Sequence, residues 1–356
     1  MGGCIGRSVF PWSTNVERAA YGVNGPSHYS DRVTSSAADD RTTTRRTGPA
    51  GQRFGFLGPE GTFTHQALVK IGHGGEATPY PDVLTTIDAV VEGQVEAALV
   101  PIENSIEGGV SATLDHLAAA EGLMITAEVT LPVEFVLCAR HPVPLEQVSE
   151  DVTHPVADAQ VRGWLAQHLP GVAVRHAGST AGAAAAIAAD TEPGRVAVCA
   201  AVAAQLHGLA VLHDGIADNR GAETRFVVVR RHDTAVPEPT GADKTTLVLY
   251  QRDDRSGALL EILDQFASRG INLTRIESRP TKTALGNYCF SVDAEGHLLD
   301  ERMGEALTGL HRICKRVRFL GSYPRADRRP NEVAEHNANA DFAEARDWLQ
   351  RLRDNA

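Results

Sequence analysis

A chain of 356 residues with 42% hydrophobic and 22% charged residues is longer than one ordinary core supports, so two or three domains are expected. The formal net charge of −11 excludes a general nucleic-acid surface, since phosphates would be repelled without a concentrated basic stripe. No stretch approaches the ~18 consecutive apolar residues that a membrane span requires.

Residues 1–52 are rich in Ser, Thr, Gly and Arg and show neither a helical nor a strand period. They read as a disordered leader. Met1-Gly2-Gly3-Cys4 hints at N-myristoylation, but Gly6 stands where that motif wants Ser or Thr. The h-region of a secretory signal is missing.

From residue 53 to 231 short apolar runs alternate with longer helical ones. Strands are expected at Phe54 to Leu57, Ala97 to Val100, Met124 to Cys138 (two, broken at Pro132), Ala173 to His176, Val196 to Cys199, Val211 to His213 and Arg225 to Val229. Helices are expected at Thr64 to Ile71, Ile87 to Glu92, Val110 to Ala120, Val161 to His168, Thr180 to Ala189 and Ala200 to His207. This alternation implies a mostly parallel sheet covered on both faces, which binds ligands where strands end and helices begin.

Residues 232–243 hold Pro237, Pro239 and Gly241 and read as a linker. Residues 244–324 follow as strand (Thr245 to Tyr250), helix (Ala258 to Ser268), strand (Ile271 to Ser278), strand (Asn287 to Val292), helix (Leu299 to His311) and strand (Val317 to Tyr323). That order is a ferredoxin-like βαββαβ unit. The tail, 325–356, is charged and carries a short helical stretch from Asp341 to Leu352.

Between Arg53 and Arg230 only nine Lys or Arg stand against 21 Asp or Glu. Any anion site there must be local, built from helix N-termini, backbone amides and one or two arginines. Cys4, Cys138, Cys199, Cys289 and Cys314 are scattered without C-x-x-C spacing, which fits reduced thiols in a cytoplasmic protein. The 14 histidines form no cluster at ligand spacing, so no metal is expected. No G-x-G-x-x-G opens a βαβ unit and no P-loop is present, so no nucleotide cofactor is expected either.

The chemistry-bearing segments are Gly58-Pro59-Glu60-Gly61-Thr62-Phe63-Thr64, Val100-Pro101-Ile102-Glu103-Asn104-Ser105, Thr153-His154-Pro155 with Gln160, Gly178-Ser179-Thr180 and Thr224-Arg225-Phe226. Gly257-Ala258-Leu259-Leu260 and Glu277-Ser278-Arg279-Pro280 follow in the small unit. In this order and at these intervals the set resembles prephenate dehydratase with a C-terminal ACT regulatory domain, over roughly residues 53 to 323.

The resemblance implies two α/β lobes at 53–231, like periplasmic binding proteins, with the active site in the cleft between them, and an ACT domain beyond the linker. It implies dehydration and decarboxylation of prephenate to phenylpyruvate, without a cofactor, in a homodimer or homotetramer inhibited by phenylalanine. Thr224 then stands at the departing hydroxyl as a hydrogen-bond donor, with Asn104 and Gln160 as catalytic partners. Gly61, Thr62, Thr64, Ser105, Thr153, Ser179, Thr180, Arg225 and Phe226 are carried over as substrate contacts. Thr62 or Thr64 doubles as a helix cap, capping explains one of the Ser179 and Thr180 hydroxyls, and His154 is left as structural. In a strand Thr224 and Phe226 share one face and Arg225 the other, so Arg225 takes either a substrate carboxylate or a structural ion pair. Where the family often has asparagine this chain has Ala222, and Asn219 is the substitute from the loop.

In the ACT domain the resemblance places phenylalanine against Gly257, Ala258, Leu259, Leu260, Asn272, Glu277, Ser278, Arg279 and Pro280, between paired subunits. Leu260 has core filling as its alternative reading. Two other functions stay open: arogenate dehydratase, and a non-catalytic amino-acid sensor. Fewer than the ~90 residues of a chorismate mutase block precede residue 53, so a single activity is expected.

Overall fold

The computed structural model describes residues 52–73, 77–281 and 288–356. The leader therefore lies outside the described residues except for Gln52, as does Asn287, the expected start of a strand.

The first lobe comprises β1 (Phe54–Leu57), α1 (Phe63–Lys70), β2 (Ala77–Tyr80), α2 (Val83–Val91), β3 (Ala97–Asn104), β4 (Gly108–Gly109), α3 (Ser111–Ala119) and β5 (Leu123–Pro132). The chain crosses into a second lobe of β6 (Val136–Ala139), β7 (Glu150–Thr153), α4 (Pro155–His168), β8 (Ala173–His176), α5 (Thr180–Ala189), β9 (Arg195–Cys199), α6 (Ala201–Leu206) and β10 (Ala210–His213). It then returns to the first lobe as β11 (Glu223–Arg231). The two sheets run β2-β1-β3-β11-β5, with β4 beside β3, and β10-β6-β9-β7-β8. Both are mixed rather than mostly parallel: β11 runs antiparallel between β3 and β5, and β6 runs antiparallel to β9 and β10. β11 and β6, the strands by which the chain enters each lobe from the other, run against those fed by helical crossovers, which is why the parallel expectation covers only half of each sheet.

Several elements depart from the sequence reading. β2 is missed because Ala77-Thr78-Pro79-Tyr80 is half-exposed and holds a proline, tolerated here because it is an edge strand. β7 is missed because Glu150 and Asp151 interrupt its apolar run although Asp151 is fully buried. Helix α4 begins six residues before the expected Val161, capped by His154 with Pro155 in its first turn. Its early buried positions include Asp158 and Gln160, and that hides the helical period.

The small domain is β12 (Asp243–Tyr250), α7 (Ala258–Ala267), β13 (Leu273–Pro280), β14 (Tyr288–Glu295), α8 (Glu301–Ile313) and β15 (Arg316–Pro324), with sheet order β13-β14-β12-β15, antiparallel throughout. Leu247 and Leu249 face the helices, packing with Ile262, Phe266, Met303 and Leu310. Val248, Cys289, Leu320 and Tyr323 face the other way and join the first lobe's core with Leu117, Leu123 and Ile125. A last helix, α9 (Asn339–Asp354), is tied to α8 through Arg346 and Glu301. Among the described residues no helix is long and apolar enough to cross a membrane.

At the seam between sheet and lobe, Gly321 has φ +130° and an added Cβ would run into the Ile125 carbonyl oxygen. Gly321→Ala should therefore cost about 1–3 kcal/mol through forced backbone shifts, read as a lower urea midpoint. An unchanged midpoint would show that the seam yields freely.

Candidate active site

Between the two lobes lies a cavity of about 430 Å³. Its lining includes the N-terminal ends of three helices: Thr62, Phe63 and Thr64 of α1 from the first lobe, and His154, Val156 and Ala157 of α4 with Gly178, Ser179 and Thr180 of α5 from the second. Each such end carries roughly half a positive charge and unpaired N–H groups. None of the described residues lining the cavity is charged at neutral pH by way of a Lys, Arg, Asp or Glu side chain. An anion here would rest on backbone dipoles and neutral donors.

Two of the lining hydroxyls are already engaged. Thr62 Oγ1 donates to the Leu57 carbonyl at 3.1 Å and accepts from the His65 N–H at 3.3 Å, and Ser179 Oγ accepts from the Gly182 N–H at 2.8 Å. Capping thus accounts for both of those side chains. Thr64 and Thr180 also line the cavity, and so does Gln160, which is buried and whose Oε1 has no hydrogen-bond partner. A buried amide oxygen left without a partner is costly.

On the opposite wall Asn104 Nδ2 donates to Thr224 Oγ1 at 2.9 Å. The Asn104 Oδ1 accepts from the N–H groups of Ile106 at 2.8 Å and Glu107 at 3.3 Å, which fixes which end of the amide faces the threonine. Because Thr224 accepts this bond, its own O–H is directed away from Asn104 and is free to donate into the cavity. Phe226, Pro101, Val110, Val133 and Phe135 form the apolar wall around this donor. The sequence reading missed Val110, Val133 and Phe135 because they belong to no chemistry-bearing motif.

His154, left as structural above, also lines the cavity. Its Nδ1 accepts from the Val156 N–H at 3.2 Å, so the neutral ring carries its proton on Nε2. Burial holds the imidazole below its usual range, against the opposing pull of Glu107.

Four residues expected at the substrate lie elsewhere. Arg225 is buried behind the sheet, where Nε binds Glu103 Oε2 at 3.1 Å, Nη1 binds Glu128 Oε2 at 2.9 Å and Nη2 binds Asp293 of the small domain. Strand alternation sends it away from the face that Thr224 shares with Phe226, and its ion-pair reading is the one the geometry meets. The Ser105 hydroxyl accepts from the Glu223 N–H at 2.9 Å and stitches the loop to β11. Thr153 is fully buried, its hydroxyl donating to the Val198 carbonyl at 2.9 Å. The Gly61 N–H donates to His65 Nδ1 at 3.1 Å, and its φ of +85° sets the turn where the first lobe meets Ala203 of the second. Asn219 is also outside the cavity lining, its Oδ1 accepting from the Gly221 N–H at 3.0 Å.

The residues expected at phenylalanine divide in the same way. Gly257, Leu259, Leu260 and Ser278 line a second hollow of about 430 Å³ with Tyr288 and Phe290. Ala258 is buried at the start of α7, and Asn272 lines a different hollow beside Arg325 and Glu332. Glu277 and Arg279 point to the first lobe, where Arg279 Nη2 binds Asp115 at 2.8 Å. Pro280 is exposed at the end of β13.

The chain matches the family Prephenate dehydratase over residues 54–234 and the ACT domain over residues 245–312. It is 45% identical over 298 residues to the prephenate dehydratase of Amycolatopsis methanolica, covering 83% of this chain and 96% of that relative. The solved prephenate dehydratase from Arthrobacter aurescens in complex with L-Phe superposes with a TM-score of 0.80 at 48% identity, covering 85% of this chain and 99% of that one. GqqA, described as a novel type of quorum quenching acylase, superposes with a TM-score of 0.71 at 32% identity, covering 78% of this chain and 100% of that one. With matches that span both lobes and the small domain, the chain belongs to the prephenate dehydratase family and carries a C-terminal ACT domain.

Proposed function

We propose that this enzyme converts prephenate to phenylpyruvate in phenylalanine biosynthesis and that phenylalanine acts back on it through the ACT domain. The observation that carries the reading is the Asn104–Thr224 hydrogen bond at the wall of a cavity with three helix N-termini. As the bond between ring and carboxylate breaks, its electron pair enters the ring, the ring becomes aromatic and the carbon–oxygen bond to the hydroxyl breaks. The departing oxygen leaves as water, with its extra proton drawn from solvent. Thr224 donates to that oxygen as negative charge develops on it, while Gln160 and the helix N-termini hold the carboxylates.

Among the described residues the lining contains no Asp or Glu, and this favours the keto substrate over arogenate, whose ammonium group would be buried without a counter-charge. An amino-acid sensor would meet the same difficulty. Incubation with prephenate and arogenate in parallel, following phenylpyruvate and phenylalanine, tests the reading. Turnover of arogenate alone would reassign the substrate, and turnover of neither would remove the catalytic reading.

The hollow at α7 supports the regulatory part. Leu260 is 68% exposed, and Tyr288, which lines the same hollow, adds exposed surface beside it, which suits pairing of two ACT domains as a homodimer, or of two such pairs as a homotetramer. Phenylalanine would place its carboxylate at the start of α7 and its ring against Leu259 and Leu260. Leu260→Arg should weaken phenylalanine binding about tenfold, roughly 1.4 kcal/mol, measured by calorimetry. Native affinity would leave Leu260 outside the site. The buried free thiols at Cys138, Cys199, Cys289 and Cys314 fit a reducing, cytoplasmic setting.

A further inference from the structure

The face of β11 opposite Thr224 is held by the ACT domain. Arg225 binds Glu103, Glu128 and Asp293 with three different nitrogens. Glu103 directly precedes Asn104, the residue that donates to Thr224, so one guanidinium grips both strands that meet at the catalytic hydrogen bond. The β3–β11 register is irregular between Arg225 and Phe226, one step from Thr224. A bulged ladder leaves local geometry less constrained by backbone pairing, and a side-chain clamp takes up that task.

Asp293 is fully buried on β14 and serves several donors at once. Arg275 binds it through Nε at 3.0 Å and Nη2 at 3.1 Å, and Thr246 Oγ1 donates to it at 2.8 Å. Lys244 completes the cluster by binding Glu128 at 3.0 Å. Strand β13 connects this cluster to the hollow at α7 by simple alternation. Arg275, Glu277 and Arg279 face Asp293, Gly109 and Asp115, whereas Ser278, between them, lines the hollow. A ligand that moves β13 through Ser278 therefore moves Glu277 and Arg279, which meet the catalytic lobe, and Arg275, which holds Asp293 within the small domain.

We propose that Asp293 of the ACT domain, acting through Arg225, is a positioning residue for the dehydration. It fixes the Asn104–Thr224 pair from behind the sheet and makes turnover depend on where β13 and β14 sit. The inference rests on the role proposed above for Thr224. A displacement of about 1 Å at reacting groups can cost on the order of 100-fold in rate, so a small shift of the small domain is sufficient.

The test uses the full chain with Asp293→Asn, which keeps the side chain's shape and the acceptor for Thr246 but withdraws the charge from Arg225. The expected result is a kcat, per folded protein, reduced by roughly 10–100-fold with KM for prephenate changed less than about threefold. Phenylalanine should still bind, seen by calorimetry, but should no longer alter kcat. Native kcat with a native phenylalanine response would overturn the proposal, as would a loss of activity that only tracks the unfolded fraction. Should Asp293→Asn not fold, Thr246→Val decides: it removes one bond to Asp293 with little change of shape, and roughly 3–10-fold lower kcat is expected, native kcat overturning the idea. Thr224→Ala is assayed beside them. If it retains turnover, the site reading fails; if it is inactive while Asp293→Asn is native, the coupling alone fails.

Discussion

Thr224→Val should lower kcat for phenylpyruvate formation by about 10²–10³-fold, the cost of one preorganised donor at a developing oxyanion, with KM for prephenate changed far less. Valine keeps the branched shape that suits β11, where neighbouring Phe226, Val227, Val228 and Val229 are all buried, so the fold should survive. What it removes is the O–H that Asn104 directs into the cavity. The effect belongs to the transition state because the leaving oxygen gains charge only as its bond to the ring breaks. Asn104→Asp provides the companion result. An aspartate still accepts from the Ile106 and Glu107 N–H groups but presents an oxygen in place of Nδ2 to Thr224 and a negative charge to a dianionic substrate. It should lose turnover to a similar extent and bind prephenate more weakly. Steady-state assays with circular dichroism as the fold control decide the matter, and a Thr224→Val kcat within threefold of native would remove Thr224 from the mechanism.

The family resemblance points to Thr224, Asn104 and Gln160, local rules mark the helix starts, and both stop at contacts made only in the folded chain. Thr62 or Thr64 and one of Ser179 and Thr180 are expected as caps because a hydroxyl before a helical run has one common use, and in the folded chain Thr62 and Ser179 serve that use while also lining the cavity. Ser105 and Thr153 carry the same functional groups within the same motifs, yet their hydroxyls are consumed by Glu223 and Val198. Those partners lie 118 and 45 residues away in sequence, and no local pattern announces them. Arg225 could be assigned to a face by strand alternation, but its partner Asp293 belongs to another domain. The apolar wall of Val110, Val133 and Phe135 is made by tertiary packing of ordinary core residues, which carry no mark of a site. Of the strands hidden from the sequence, β2 is a half-exposed edge strand that contains a proline, and β7 holds a polar group, Asp151, at a buried position.

That aspartate makes stability depend on pH in a way that can be measured. Asp151 is fully buried on β7, and neither carboxylate oxygen has a well-formed hydrogen bond. Burial pushes its pKa up to about 7, the nearby amides of Val198 and Val152 offset this only in part, and Asp158 and Glu150 add to the rise. Since the unfolded chain loses this proton near its ordinary value of 3.8, the folded state binds more protons between those limits. Stability from this group is therefore greatest at low pH and falls as pH rises toward about 7. From pH 5 to pH 8 the loss should be about 2–3 kcal/mol. Asp293 has the opposite sign: burial opposes its charge, but Arg225 and Arg275 hold it well below the carboxylate range, so its contribution is lost only as pH falls below about 4. The two windows do not overlap. Asp151→Asn removes the titration while keeping the shape, so urea unfolding of variant and native chain at pH 5, 6, 7 and 8 cancels every other group. The stability difference, variant minus native, should shift in the variant's favour by about 2–3 kcal/mol across that range, and a difference independent of pH would mean that Asp151 is not neutral in the folded protein at pH 5.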